Sequence, residues 1–224
     1  MTTPLRLVLF DVDGTLVDSQ SAIVGAMNEA FRMVDLPAPD RPDVLSIVGL
    51  SLPKAMAVLA PKESQGKQAE LVEAYKEAYH AARLLAGAGH SPLYPGAREM
   101  LEQLHAQPET LLGVATGKSR RGMDALIEAH GLHFFLTVQV ADNHPSKPHP
   151  SMVLTAMSET GVAPENTVVI GDTRFDMDMA RAAGVNSVGV SWGYHSRDSL
   201  NADYHIDVFE ELPGVLNRIW KVES

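Results

Sequence analysis

Two carboxylates two residues apart, Asp11 and Asp13, sit in the stretch Asp11-Val12-Asp13-Gly14-Thr15. In an extended chain such side chains share a face, so the two groups would repel. The repulsion falls if a divalent cation or a cationic substrate sits between them, or if one carboxyl keeps a proton. Alone, Asp-x-Asp-Gly equally suits a helix cap or an Asx turn. Asp172 and Asp176, in Gly171-Asp172-Thr173-Arg174-Phe175-Asp176, bring the carboxylates to four, enough to hold a hard cation by oxygen. Thr116-Gly117-Lys118-Ser119 offers a hydroxyl beside backbone N–H groups at a helix start, an anion seat, although an N-cap is an equal use of Thr116. Lys147, between the turns of Ser146-Lys147-Pro148-His149-Pro150, could neutralise both a carboxylate and a phosphoryl oxygen.

Each of these groups follows a short apolar run that reads as a buried strand: Leu5 to Phe10, Leu111 to Ala115, Phe135 to Val140 (with Asp142 and then Lys147 after it) and Thr167 to Ile170. Ser187 to Val190 is a fifth such run. Helical patterns fill the later intervals, through Ala97, Met100, Leu101 and Leu104, through Met123, Leu126 and Ile127, and through Met152, Val153, Ala156 and Met157. Alternation of this kind predicts an α/β fold with a Rossmann-like parallel sheet, in which ligands sit beyond the carboxyl ends of the strands. The stretch between Asp13 and Leu111 is too long for a crossover. It carries helical patterns over Ser19 to Val34 and Lys67 to Leu85, with a proline-rich segment, Leu36 to Pro42, between them. It reads as an inserted α-helical cap rather than a mere extension of the core. The expected division is 1–16 core, 17–87 cap and 88–224 core. A last helix presents Phe209, Leu212, Val215, Leu216 and Ile219 to the sheet.

Composition narrows the function. Against 18 basic side chains stand 28 acidic ones, a net charge of -10 over 224 residues, which disfavours nucleic acid or an anionic membrane as partner. There are no cysteines, so disulfide scaffolds, thiol nucleophiles and thiolate metal sites are excluded. Met1-Thr2-Thr3-Pro4-Leu5-Arg6 has no secretory pattern, and no window approaches the ~18 apolar residues of a membrane span. The expected location is cytoplasmic. His144 and His149 lack the helical spacing of a zinc protease and read as loop histidines.

Taken together, LFDVDGTLVDS, VATGKS, SKPHP and VVIGDTRFDMDMARAAG resemble, in order and spacing, the four motifs of haloacid dehalogenase-superfamily hydrolases with a helical cap after the first motif. Within that branch the chain is most similar to phosphoglycolate phosphatases, through DGTLVDS, Lys147-Pro148-His149-Pro150, Gly193-Tyr194, Asn201 to Tyr204 and Glu211-Leu212. The resemblance implies a magnesium-dependent phosphomonoester hydrolase working through an aspartyl-phosphate. In that scheme Asp11 is the nucleophile and Asp13 the general acid and base. Thr116, Gly117 and Lys147 hold the phosphoryl group. Asp11, Asp13 (by its backbone carbonyl) and Asp172 bind Mg2+, and Asp176 supports the outer shell, with Thr173 a lesser candidate there. Val48-Gly49-Leu50 and Lys54 fall where this branch places a substrate-facing loop.

The implied substrate is phosphoglycolate or another small phosphorylated metabolite, and the protein a monomer or small homo-oligomer. A sugar phosphomutase is the alternative, although no histidine follows Asp18-Ser19-Gln20. A 2-haloacid dehalogenase has no leaving group needing Asp13, and a non-catalytic binding protein would have shed a carboxylate. Gly117 departs from the asparagine or serine of many relatives. Arg120 and Arg121 either line the cleft mouth or balance surface charge.

Overall fold

A computed structural model of the protein describes residues 4–221, so Met1-Thr2-Thr3 lie outside the described residues. Strand β1 (Arg6–Phe10) is buried at every position, as an unbroken apolar run requires when both faces of a sheet are covered. It pairs in parallel with β2 (Thr110–Thr116) on one side and β4 (Thr167–Gly171) on the other. Strands β3 (Phe135–Val140), β5 (Asn186–Val190) and β6 (Tyr204–Ile206) complete a six-stranded parallel sheet of order β3-β2-β1-β4-β5-β6. The order reverses direction between β1 and β4, which opens a crevice at their carboxyl ends. Asp11 follows one of these strands and Asp172 the other.

Helices α5 (Ala97–His105), α6 (Arg120–His130), α7 (Ser151–Thr160), α8 (Arg174–Ala183), α9 (Arg197–Leu200) and α10 (Leu212–Trp220) follow in the later intervals. Two apolar clusters cover the faces of the sheet. One gathers Val8, Phe10, Leu101 and Leu216 with their neighbours, the other Leu7, Leu9, Val153 and Met179. Strand β6 was not anticipated. It has three residues, only the last of them buried, too short and too wet to register as an apolar run.

Between β1 and β2 the inserted cap holds α1 (Gln20–Met33), α2 (Arg41–Ser46), α3 (Leu52–Leu59) and α4 (Gln65–Ala86). Their inward residues, among them Met27, Val44, Met56 and Leu71, make a third cluster separate from the sheet's. Pro42 and Pro53 occupy the first turns of α2 and α3, where a missing N–H costs nothing. The outgoing and returning chains are stitched together: Asp18 N–H donates to the Pro92 carbonyl at 2.8 Å and Tyr94 N–H to the Leu16 carbonyl at 2.9 Å. No helix among the described residues is long and apolar enough to cross a membrane.

Leu101 is wholly buried between α5 and the sheet. Its truncation, Leu101→Ala, is expected to lower the unfolding free energy by about 3 kcal/mol. Urea denaturation followed by circular dichroism measures this, and a loss under about 1 kcal/mol would contradict the packing described.

Candidate active site

Loops leaving four strands converge on one buried cluster. The ammonium group of Lys147 lies 2.7 Å from Asp11 Oδ1 and 2.5 Å from Asp176 Oδ1, and all three side chains are shut off from solvent. Asp176 accepts with its other oxygen from the backbone N–H and hydroxyl of Thr173, at 3.0 and 2.7 Å. That reciprocal capping box starts α8 and fixes the carboxylate that steadies Lys147. Asp172, fully buried, accepts from Thr15 Oγ1 at 3.0 Å and from Tyr194 N–H at 2.8 Å. Gly14 makes this approach possible: its φ is +91°, and a Cβ there would overlap the Asp172 carboxylate.

Asp13 is held separately. Ser19 Oγ donates to its Oδ1 at 2.6 Å, and Lys118 Nζ lies 2.9 Å from its Oδ2. Its paired charge is thus an ammonium, where the sequence alone supplied only a carboxylate. Lys118 also reaches Tyr79 of α4, donating to the phenol oxygen at 3.3 Å with the ring centroid 5.1 Å away. Thr116 is buried at the end of β2, and its Oγ1 accepts from Lys118 N–H at 3.2 Å. The N-cap of α6 is Ser119, whose hydroxyl accepts from Gly122 N–H, so the capping role weighed for Thr116 belongs three residues on.

Charge explains what the cluster needs. Four carboxylates and the two ammonium groups of Lys147 and Lys118 leave a formal excess of two negative charges in a buried space. Burial pushes the Asp11 carboxyl up from 3.8 to about 7 even though Lys147 pulls it down. Asp172 is pushed well above the carboxylate range by burial and then by Asp11 and Asp176. Burial alone would depress the Lys147 ammonium, but Asp11 and Asp176 more than reverse that, and its pKa is pushed up. Oxygens of Asp11, Asp172 and Asp176 lie within 4.8 Å of one another, and Asp11 Oδ2 is buried without a hydrogen-bond partner. An all-oxygen donor set with an unused carboxylate oxygen and an excess of two negatives fits a hard divalent cation.

A cavity of about 670 Å³ opens between this cluster and the cap. Asp11, Asp13, Thr116, Gly117 and Lys118 form its floor, while Lys147, Asp172 and Asp176 stand behind Asp11. Val48, Gly49 and Leu50 lie on its wall, as do Arg120 and Arg121. Gly117 faces the cap loop so closely that a Cβ would meet the carbonyls of Gly49 and Leu50 at 2.8 and 2.9 Å, which accounts for glycine in this position. Lys54 is exposed and off the cavity wall: the helical period turns Ala55 and Met56 of α3 inward and Lys54 outward. Asp142 serves α6 instead of the cluster, accepting from Arg120 N–H at 2.5 Å.

Ser19, Tyr194 and the Lys118 side chain were not singled out for this site. Lys118 had a visible signal, an ammonium beside the proposed anion seat. Ser19 and Tyr194 lie far apart in sequence yet touch at 2.8 Å, which local spacing cannot reveal.

The model of the family described as "Haloacid dehalogenase-like hydrolase" matches residues 8–190. A protein from Dickeya dadantii named "Probable phosphatase IndB" is 39% identical, covering 97% of this chain and 96% of its own. A protein from Mannheimia succiniciproducens named "Phosphoglycolate phosphatase" is 31% identical over 96% of this chain and 99% of its own. Among solved structures, a haloacid dehalogenase-like hydrolase from Streptococcus pneumoniae superposes with a TM-score of 0.80 at 27% identity, covering 94% of this chain and 98% of that one.

A carboxyl whose pKa is raised by folding holds its proton more tightly in the folded chain than in the unfolded one. Its contribution to stability is therefore full below the ordinary value of 3.8 and is lost as pH climbs through about 7. In metal-free protein, Asp11→Asn removes this loss. The melting temperature of the variant minus that of the parent is expected to rise between those pH values. A difference that stays flat with pH would contradict the burial argument.

Proposed function

The chain belongs to the haloacid dehalogenase-like hydrolases, and from that premise we propose that it is a magnesium-dependent phosphomonoester hydrolase acting on phosphoglycolate or another small phosphorylated metabolite. The observation that carries this reading is the partnerless buried oxygen of Asp11, set beside the Lys147 ammonium at the floor of a cavity. Nucleic acid and membrane are not partners in this reading. The protein acts in the cytoplasm as a monomer or small homo-oligomer. Residues 17–87 are taken as the cap, supported by the separate apolar cluster of α1–α4.

The proposed roles follow from what each group touches. Asp11 attacks phosphorus in line with the leaving oxygen, forms an aspartyl-phosphate, and needs to be ionised to do so. Lys147, anchored on Asp11 and Asp176, stands where it can offset charge on the phosphoryl oxygens. The Thr116 hydroxyl and the Gly117 backbone complete the cradle. Asp13 gives a proton to the leaving oxygen and later takes one from the water that cleaves the intermediate. Ser19 and Lys118 orient its two oxygens for both steps. Asp11, the Asp13 carbonyl and Asp172 would hold magnesium, with Asp176 in the outer shell. When bound, the ion supplies the positive charge that lets an anionic ester approach buried carboxylates. Lys54 has no part in this scheme.

Phosphate release from phosphoglycolate and from a panel of other phosphomonoesters tests the reading. Turnover is expected to need Mg2+ and to stop on chelation. Asp11→Asn is expected to lower kcat by about 1,000-fold or more. Turnover that survives loss of the Asp11 carboxyl would refute the assignment.

A further inference from the structure

The cavity is larger and more apolar than phosphoglycolate requires. Even at the ~30 Å³ that a water molecule occupies in the liquid, the nine non-hydrogen atoms of phosphoglycolate fill less than half of it. Its volume of about 670 Å³ belongs to the range of cavities that enclose drug-sized ligands. The cap is docked on the core loops around this cavity. Ser51 N–H donates to Ser146 Oγ at 2.9 Å, His195 Nε2 lies 3.3 Å from the Ser46 carbonyl, and Lys118 holds Tyr79.

Most of the cap side of the wall is apolar and aromatic, the exceptions being Lys76, His80 and Arg83 of α4. Ile23, Met27, Ile47, Val48, Leu52 and Tyr75 line it. Tyr75 and Tyr79 stack with their rings 5.8 Å apart and 29° from parallel, so one part of the wall is an aromatic ledge. The two ammonium groups beside the floor are already paired, Lys118 with Asp13 and Lys147 with Asp11 and Asp176. A second carboxylate packed directly against Ile23 and Val48 would lose its hydration among apolar side chains, at a cost of several kcal/mol. A flat apolar body would meet dispersion contacts there instead.

Resting on the phosphatase reading above, we propose that the cleft selects phosphomonoesters whose alcohol part is a ring-sized body with an apolar face, over phosphoglycolate. The cap wall formed by α1, the loop between α2 and α3, and α4 is the specificity element. The floor takes the phosphoryl group in the same way for every substrate. The chemistry is unchanged: the Asp11–phosphorus bond forms, the ester P–O bond breaks, and the alcohol leaves with the proton from Asp13.

The test compares kcat/KM for benzyl phosphate, ethyl phosphate and phosphoglycolate with Mg2+ present. All three release primary alcohols of similar acidity, so differences report binding of the leaving group and not its reactivity. Benzyl phosphate is expected to lead each of the others by about 10-fold or more. Ile23→Trp, which fills the apolar wall, is expected to erase most of that lead. If circular dichroism shows Ile23→Trp unfolded, Val48→Phe is read in its place. A preference for phosphoglycolate, equal use of all three, or a benzyl lead untouched in the folded variant would overturn the inference while leaving the phosphatase reading intact. No magnesium-dependent turnover of any of the three, nor of the wider phosphomonoester panel, would sink the phosphatase reading itself.

Discussion

The ammonium of Lys147, sealed between Asp11 and Asp176, is the contact on which the rest of the structure turns. A lone charge so deeply buried is unaffordable, and removing one partner of such a pair typically costs about 3–5 kcal/mol. The two carboxylates keep Lys147 charged, and Lys147 in turn keeps one oxygen of Asp11 occupied and the other free. Asp176 can serve because the first turn of α8 fixes it through Thr173. This trio joins β1, the loop beyond β3 and the start of α8, so the reactive geometry depends on the whole sheet.

The sheet order supplies the place and the cap supplies the enclosure. Asp11 and Asp172 leave neighbouring strands where the order reverses, so their loops diverge over a crevice without crossing it. The insertion leaves the chain just beyond the Asp11–Asp13 loop, the position from which a cap can roof the crevice on two short tethers. Core side chains grip it directly, among them Lys118 through Tyr79, Ser146 through the Ser51 N–H and His195 through the Ser46 carbonyl. Because Lys118 also holds Asp13, the same side chain that meets the cap steadies a carboxylate of the cavity floor.

Much of this was legible in the sequence because the signals are local. A strand covered on both faces must be apolar almost throughout, so Leu5 to Phe10 and Thr167 to Ile170 stand out, and the residues after them inherit a place at one edge of the sheet. What was not legible depends on distant partners or weak periods. Three residues of β6 carry too little burial to form a pattern. The turn of α6 begins at Arg120, and Ser119 competes with Thr116 as cap, a choice that sterics and not residue type decides. Lys54 looked suited to an anionic substrate, but the phase of an eight-residue helix put it outside. The Ser19–Tyr194 contact spans the chain and could only come from the fold.

The central claim is that the excess of buried carboxylate charge is a site for one divalent cation. Calorimetric titration of Mg2+ into the metal-free protein measures this directly. The account predicts one ion bound per chain, with affinity that tightens from pH 5.5 to 7.5 as Asp11 gives up its proton, and that is lost in Asp172→Asn. Binding of equal strength in Asp172→Asn, or no saturable binding in the parent, would contradict it.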